Sequence, residues 1–346
     1  MKFEEIGNGK TYIIAEMSAN HAGSIERAKE IIHAAKEAGA DCIKLQTYTP
    51  DTITLDCDNK YFHINDGTWK GENLYELYGK AYTPWEWHQD LKNEADKVGI
   101  DFLSTPFDRT AVDFLEELQV EAYKIASFEL VDIPLIEYVA SKGKPIIMST
   151  GMGALGEIEE AIQAIKNQGN EKIVLLKCSS AYPAIGDNMN LNTMVNMKET
   201  FGVKVGLSDH SMGSVGAVAA VAMGASVIEK HFCLSREIEN PDSSFSMEPE
   251  EFAKMVSDIR MAEKAKGIVR YGATEEEAGN VIFRRSLFAV KDIKKGEVIT
   301  EDNVRSIRPA HGLKPKYMKD ILGQRALEDI SRGTPMSFEL VGKQNV

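Results

Sequence analysis

The sequence predicts an α/β fold of the (β/α)₈ TIM-barrel class followed by a small β-rich C-terminal domain. Three observations carry that expectation. Short apolar runs alternate eight times with stretches of helical periodicity, polar residues gather at the end of each run, and the texture of the chain changes after about Gly267.

In order, the runs are Thr11–Ala15, Cys42–Leu45, Asp101–Ser104, Ala122–Ile125, Pro145–Ser149, Ile173–Leu176, Val205–Leu207 and Val227–Glu229. Runs of this length and composition read as parallel strands buried on both faces. Between them the apolar positions follow one helix face, as in Ala28, Ile31, Ile32, Ala35 and Ala38, while Gly39 and Gly224 stand where a helix ends in a left-handed residue. Eight strand–helix units are the signature of a barrel whose chemistry sits at the C-terminal ends of its strands; a doubly wound sheet is the structural alternative.

On this reading residues 1–267 form the barrel and residues 268–282, with the acidic stretch Thr274–Glu277, form a linker that is helical in part. Residues 283–346, rich in Gly, Pro and Lys, form the β-rich domain.

The chain has 346 residues and a formal net charge of −13, so nucleic acid and anionic membrane surfaces are excluded as partners, because both demand clustered Lys and Arg. An anionic substrate therefore needs a local basic pocket. There is no basic segment leading into an apolar leader, and no apolar stretch nears the roughly 20 residues that span a bilayer, so a cytoplasmic protein is expected. Cys42, Cys57, Cys178 and Cys233 lack CxxC spacing and read as reduced thiols.

Polar residues cluster where strands end. Glu16 closes the first, Lys44 and Gln46 the second, Ser104 and Thr105 the third, Lys124 and Ser127 the fourth, and Ser149 and Thr150 the fifth. Ser179, Ser180 and Tyr182 follow the sixth, Ser208, Asp209 and His210 the seventh, and Glu229, Lys230 and His231 the eighth. On a barrel all of these project into one mouth. Lys44 and Lys124, ringed by hydroxyls of Thr105, Ser127, Ser149, Ser180 and Ser208, suit a small dianion such as a phosphate ester, although a single strand-end lysine is ordinarily solvated. His210 and His231 lie on consecutive strands, where neutral imidazoles suit a divalent ion such as Mn²⁺, Co²⁺ or Zn²⁺, whereas one buried histidine alone is ordinarily a hydrogen-bonded core residue.

Other features each admit two readings. His21, in the Asn20–Gly23 loop, either reaches the mouth or only shapes that loop, and His33 on the first helix is structural. The aromatic stretch from Trp69 to Trp87 separates strands two and three; it shapes a substrate pocket, packs as an amphipathic helix through Leu74, Leu77 and Tyr78, or does both. Arg308, beside Pro309 in the C-terminal domain, suits an acyl or carboxyl oxygen but is otherwise a surface arginine.

Taken together, the strings Ile13–Gly23, Ile43–Thr47, Ser104–Phe107, Tyr123–Ser127, Ser149–Met152, Gly206–Ser211 and Ile228–Phe232 resemble the sialic acid synthase family. The tail, Lys291–Thr300 followed by Arg308–Leu313, resembles its SAF domain, which is similar to type III antifreeze protein. The resemblance spans essentially the whole chain. It implies a domain-swapped homodimer that condenses phosphoenolpyruvate with an N-acetylated amino sugar and depends on a divalent metal (Mn²⁺, Mg²⁺ or Co²⁺). Lys44, Thr105, Lys124, Ser127, Ser149, Ser180, Ser208 and His210 would surround phosphoenolpyruvate, and His210 and His231 would hold the metal. Glu16, Gln46, Trp69, Tyr182 and Asp242 would meet the sugar, Arg308 would enter the partner's site, and Glu16 and Glu229 would manage protons or water.

Ser180 departs from the sialic acid branch, which often has Asn there. The run Gly67–His88, with Met17–His21 and Tyr48–Leu55, resembles the pseudaminic acid branch, implying 2,4-diacetamido-2,4,6-trideoxy-β-L-altropyranose as the sugar. A manno-configured sugar, as in sialic or legionaminic acid synthesis, is the nearest alternative. A non-catalytic sugar- or ice-binding protein and a Schiff-base aldolase acting through Lys44 or Lys124 are the alternatives from other classes.

Overall fold

The computed structural model describes residues 3–343, which fall into two compact units that divide after Gly267. In the first, eight parallel strands alternate with helices: β1 (Tyr12–Glu16), β2 (Cys42–Thr47), β3 (Asp101–Pro106), β4 (Tyr123–Ile125), β5 (Ile146–Ser149), β6 (Ile173–Cys178), β7 (Lys204–Asp209) and β8 (Val227–His231). Their order is β3-β2-β1-β8-β7-β6-β5-β4, so the first and last strands pair, and β3 packs beside β4 to make a nearly closed barrel. The expected TIM-barrel class is the one observed.

Pleating decides which residues face which way. Ile13, Ala15, Ile43, Leu45, Tyr123, Ile125, Val205 and Leu207 point outward and join one core with helix residues such as Ile31, Ile32 and Ala35. The alternate positions Ile14, Cys42, Leu103, Ala122, Ile147, Val174, Leu176 and Val227 fill the barrel interior. Two residues further along seven of the strands, the same inward parity places Glu16, Lys44, Thr105, Lys124, Ser149, Cys178 and Glu229.

Most strands run one or two residues past their apolar runs. The extensions are held by ladder pairing, as in Gln46 with Thr105, Cys178 with Ser208 and Glu16 with His231, and a polar residue at a buried strand end carries no apolar signal to announce it. Gly206 is demanded by close approach, since a Cβ there would overlap the Val227 carbonyl of β8. The helix Ile25–Glu37 starts at Ser24, whose hydroxyl accepts from the Arg27 amide at 3.2 Å, and is followed by Gly39 at φ 91°, a left-handed residue.

The second unit contains the short helix Glu275–Ala278 and two antiparallel pairs, β9 (Ser286–Ala289) with β10 (Val304–Ile307) and β11 (Arg325–Ala326) with β12 (Val341–Gly342). Leu287, Ile293, Ile299, Val304, Ile321 and Met336 form its core. No helix among the described residues is long and apolar enough to cross a membrane.

Candidate active site

All eight strands supply a residue, on the strand or just after it, to one pocket at the C-terminal mouth of the barrel. Glu16, Lys44, Gln46, Thr105, Lys124, Ser149, Cys178, Ser208, Glu229 and His231 line it from the strands, and Ser127, Tyr182 and His210 from the segments that follow. The expectation that every polar strand-end residue enters this mouth is corrected, because it holds for one side of the pleat only. Ser104 instead shares a 2.7 Å hydrogen bond with Thr47, the Thr150 hydroxyl donates to the Leu176 carbonyl at 3.1 Å, and Lys230 pairs with Asp209 at 2.7 Å.

Charge in the pocket is balanced by four groups. Lys44 forms a buried ion pair with Glu16 and lies 3.7 Å from Glu229, while Lys124 lies 3.9 Å from Glu229 and donates to the Ser149 hydroxyl at 2.7 Å. Burial pulls the Lys44 ammonium down, but Glu16 and Glu229 outweigh it and its pKa ends above the ordinary value. Burial lowers Lys124, which has no comparably close carboxylate. The two carboxyls are pushed apart. Burial dominates at Glu16 and raises it; at Glu229 the same burial is overcome by Lys124, Lys44 and His210, which hold it low. Glu16 Oε2 is taken up by the Lys44 ion pair, whereas Glu229 Oε2 is buried without a hydrogen-bond partner among the described residues and has capacity left for a ligand or water.

The wall after β5 is shaped by a glycine. The Gly151 amide donates to the Ser127 hydroxyl at 3.1 Å, and a Cβ at this position would overlap both the Ser127 and Ser180 hydroxyls. The Ser180 hydroxyl, 3.8 Å from Cys178 Sγ, lies beside Gly151 at the edge of the pocket and not among the residues that line it. Cys178 also lines the pocket; it carries no polar signal in the sequence, but a parity count from Val174 reaches it. Burial raises its thiol, but His210 at 3.7 Å and smaller contributions bring it down to about 7.

His210 and His231 are brought together, their ring centroids 5.3 Å apart. His210 Nδ1 lies 3.1 Å from the Ser179 carbonyl, which can only accept, so Nδ1 carries the proton and the Nε2 lone pair is open in the neutral ring. His231 Nδ1 is buried without a partner among the described residues, and burial together with His210 drives its pKa well below the ordinary value, leaving a neutral imidazole. Burial lowers His210, but Cys178 and the Ser179 carbonyl outweigh it and raise its pKa, so His210 would give up its Nε2 proton on binding a cation, while His231 is already neutral; two adjacent imidazoles so placed fit a divalent cation. Among the described residues no cluster of three His, Cys, Asp or Glu forms a metal-binding group, so the protein's share would be these two.

An aromatic wall stands over the histidines. Tyr182 lies 4.3 Å from the His210 ring and 5.1 Å from Phe245, and Trp69 lies 5.4 Å from Tyr182. Trp69 Nε1 donates to the Pro241 carbonyl at 2.9 Å and the Thr68 hydroxyl donates to the Tyr182 carbonyl, so the segment between β2 and β3 is fastened to the loops after β6 and β8. Asp242 is buried and accepts from the Ala19 amide at 3.2 Å, and Gln46 donates to Glu16 at 3.3 Å and to Ser18 at 2.9 Å.

His21 resolves to loop shaping, with Nδ1 accepting from the Gly23 amide at 3.1 Å and Nε2 3.3 Å from the Thr83 hydroxyl. His33 bonds Glu94 at 2.6 Å on the outer surface. Arg308 is exposed just after β10 in the second unit.

Against this geometry, residues 31–271 match the model of the NeuB family. The chain belongs to the NeuB family. Residues 284–341 match the SAF domain. Among NeuB-family relatives, the pseudaminic acid synthase of Campylobacter jejuni is 48% identical over 333 residues, covering 95% of this chain and 97% of its own. That of Helicobacter pylori is 47% identical, covering 94% and 96%. The crystal structure of an N-acetylneuraminic acid synthetase from Leptospira borgpetersenii superposes with a TM-score of 0.70 at 31% identity, over 79% of this chain and 91% of that one.

Proposed function

We propose that the protein condenses phosphoenolpyruvate with 2,4-diacetamido-2,4,6-trideoxy-β-L-altropyranose and water to give pseudaminic acid and phosphate. The observation that carries this reading is a mouth combining two buried lysines, two histidines and two carboxyls that face the lysines, in a chain similar over 94–95% of its length to pseudaminic acid synthases.

Lys44 and Lys124, with hydroxyls of Thr105, Ser127, Ser149, Ser180 and Ser208 and the His210 ring, bind the phosphate and carboxylate of phosphoenolpyruvate. Charge-assisted bonds in a partly dehydrated cavity are strong enough to fix its orientation. Gln46, Trp69, Tyr182 and Asp242 orient the open-chain sugar so that its C1 lies against C3 of phosphoenolpyruvate. A bond forms between these carbons, water adds at C2, and the C2–O bond breaks to release phosphate. Glu16 and Glu229 hold and take the protons that water addition and phosphate departure require. His210 and His231 would hold a divalent cation (Mn²⁺, Mg²⁺ or Co²⁺), which when bound supplies Lewis-acid polarisation of a carbonyl oxygen. A domain-swapped homodimer, with Arg308 of each copy meeting an N-acetyl group in the other's pocket, completes the reading.

Phosphate release from phosphoenolpyruvate with Mn²⁺, measured against N-acetylmannosamine, the 2,4-diacetamido mannose analogue and the altrose analogue, tests it. Release is expected with the altrose analogue. Preference for a manno sugar transfers the chain to sialic or legionaminic acid synthesis, and silence with all three overturns the synthase reading. His210→Ala and His231→Ala should each lower kcat by about 10²-fold or more.

A further inference from the structure

Asp209 and Lys230 form an ion pair whose side chains are 0% and 1% exposed. They are register partners on β7 and β8, and each lies next to a histidine of the pocket: Asp209 precedes His210, and Lys230 precedes His231. Pleating turns the pair away from the pocket as it turns Ser208, Glu229 and His231 into it.

The contacts form a closed bracket. Asp209 Oδ1 accepts from the Ser211 amide at 2.8 Å and from the Ser211 hydroxyl at 2.6 Å, spanning His210. Lys230 Nζ donates to Asp209 Oδ2 at 2.7 Å and to the Ser211 carbonyl at 2.6 Å. His210 is therefore held on both sides by residues that are themselves tied to the neighbour of His231. A buried ion pair adds little net stability compared with an apolar pair of similar size, so packing alone does not call for these two charges.

We propose that the Asp209–Lys230 pair is a positioning device that sets the spacing and tilt of His210 and His231 for cation binding. Neither residue touches substrate or metal; both act through the backbone of β7, β8 and Ser211. The inference rests on the two-histidine cation site proposed above. Groups that orient metal-ligating histidines are typically worth about 10–100-fold in metal affinity.

The test is Mn²⁺ affinity of the full chain, titrated by electron paramagnetic resonance, with the thermal midpoint measured in parallel. Lys230→Met alone strands the Asp209 carboxylate in the core and is a poor probe, so the informative variant is Asp209→Asn with Lys230→Met, which removes both charges while Asn keeps an oxygen for Ser211. The double variant is expected to melt within a few degrees of wild type, to bind Mn²⁺ about 10–100-fold more weakly, and to regain most of its turnover at saturating Mn²⁺. Wild-type Mn²⁺ affinity in the double variant overturns the proposal, and so does a loss of affinity accompanied by a collapsed melting transition. The control is His231→Ala: if it leaves Mn²⁺ binding unchanged, the two-histidine site fails and the positioning role with it. If His231→Ala abolishes binding while the double variant does not weaken it, only the positioning role is lost.

Discussion

Glu229 Oε1 lies 3.9 Å from the Lys124 ammonium, and the two side chains reach each other from β8 and β4, strands on opposite sides of the barrel. The contact spans the mouth and joins a carboxyl held ionised to an ammonium weakened by burial. Lys124→Met should raise KM for phosphoenolpyruvate by about 10²-fold, the scale of removing one partner from a buried charge pair, and leave KM for the sugar within a few-fold. Glu229→Gln removes a competitor for the lysines and should lower kcat without raising KM for phosphoenolpyruvate. Steady-state kinetics with each substrate varied checks both.

Gly151 is fixed by space. Alanine there would press its Cβ against the Ser127 and Ser180 hydroxyls, so Gly151→Ala should weaken phosphoenolpyruvate binding by about 10-fold or more while costing about 1–3 kcal/mol of stability, the usual toll of overpacking. Unchanged KM for phosphoenolpyruvate would mean that this wall does not meet the substrate.

Trp69→Ala removes the ring that rests on Tyr182 and the bond to the Pro241 carbonyl. Loss of one aromatic contact together with its buried area predicts a KM for the sugar raised by about 10-fold or more, with phosphoenolpyruvate little affected. Arg308→Ala should show the same selective effect on the sugar, and an unchanged KM would show that Arg308 does not reach a site.

His21 and His88 are each lowered by burial from the ordinary 6.5 to about 4. Above pH 6.5 both are neutral in the folded and unfolded chains and their contribution is intact. As pH falls from 6.5 to 4 the unfolded chain takes up protons that the folded chain refuses, so stability declines, by up to about 3 kcal/mol per histidine. Urea midpoints of wild type and His88→Gln between pH 7 and 4.5 check this: wild type should decline more steeply, and parallel curves would contradict it.

Much of the site was readable from strand ends. Lys44, Lys124, Ser149, Ser208 and His231 are polar residues that close apolar runs, and an eightfold strand–helix repeat sends such positions to one mouth. Parity was the missing step. Asp209 and Lys230 close the same runs as Ser208 and His231, yet lie behind the wall, because one residue along a strand reverses the side chain's face. Cys178 carries no polar signal, because a thiol ends an apolar run without breaking it. Glu16 and Glu229 were legible as acids but not as the counter-charges of the two lysines, since their pairing joins strands far apart in sequence.

The amino-acid order by itself determined the barrel, the C-terminal domain and the set of residues available to the mouth, because periodicity and burial are properties of short segments and their repetition. Only the tertiary structure decided the rest. It separated the two faces of each strand, set Glu229 between lysines from β2 and β4, brought the rings of His210 and His231 to 5.3 Å, and fastened Trp69 over Tyr182. Those outcomes depend on register and on packing between distant segments, and the free energy of a buried charge is set by the neighbours that the fold delivers to it.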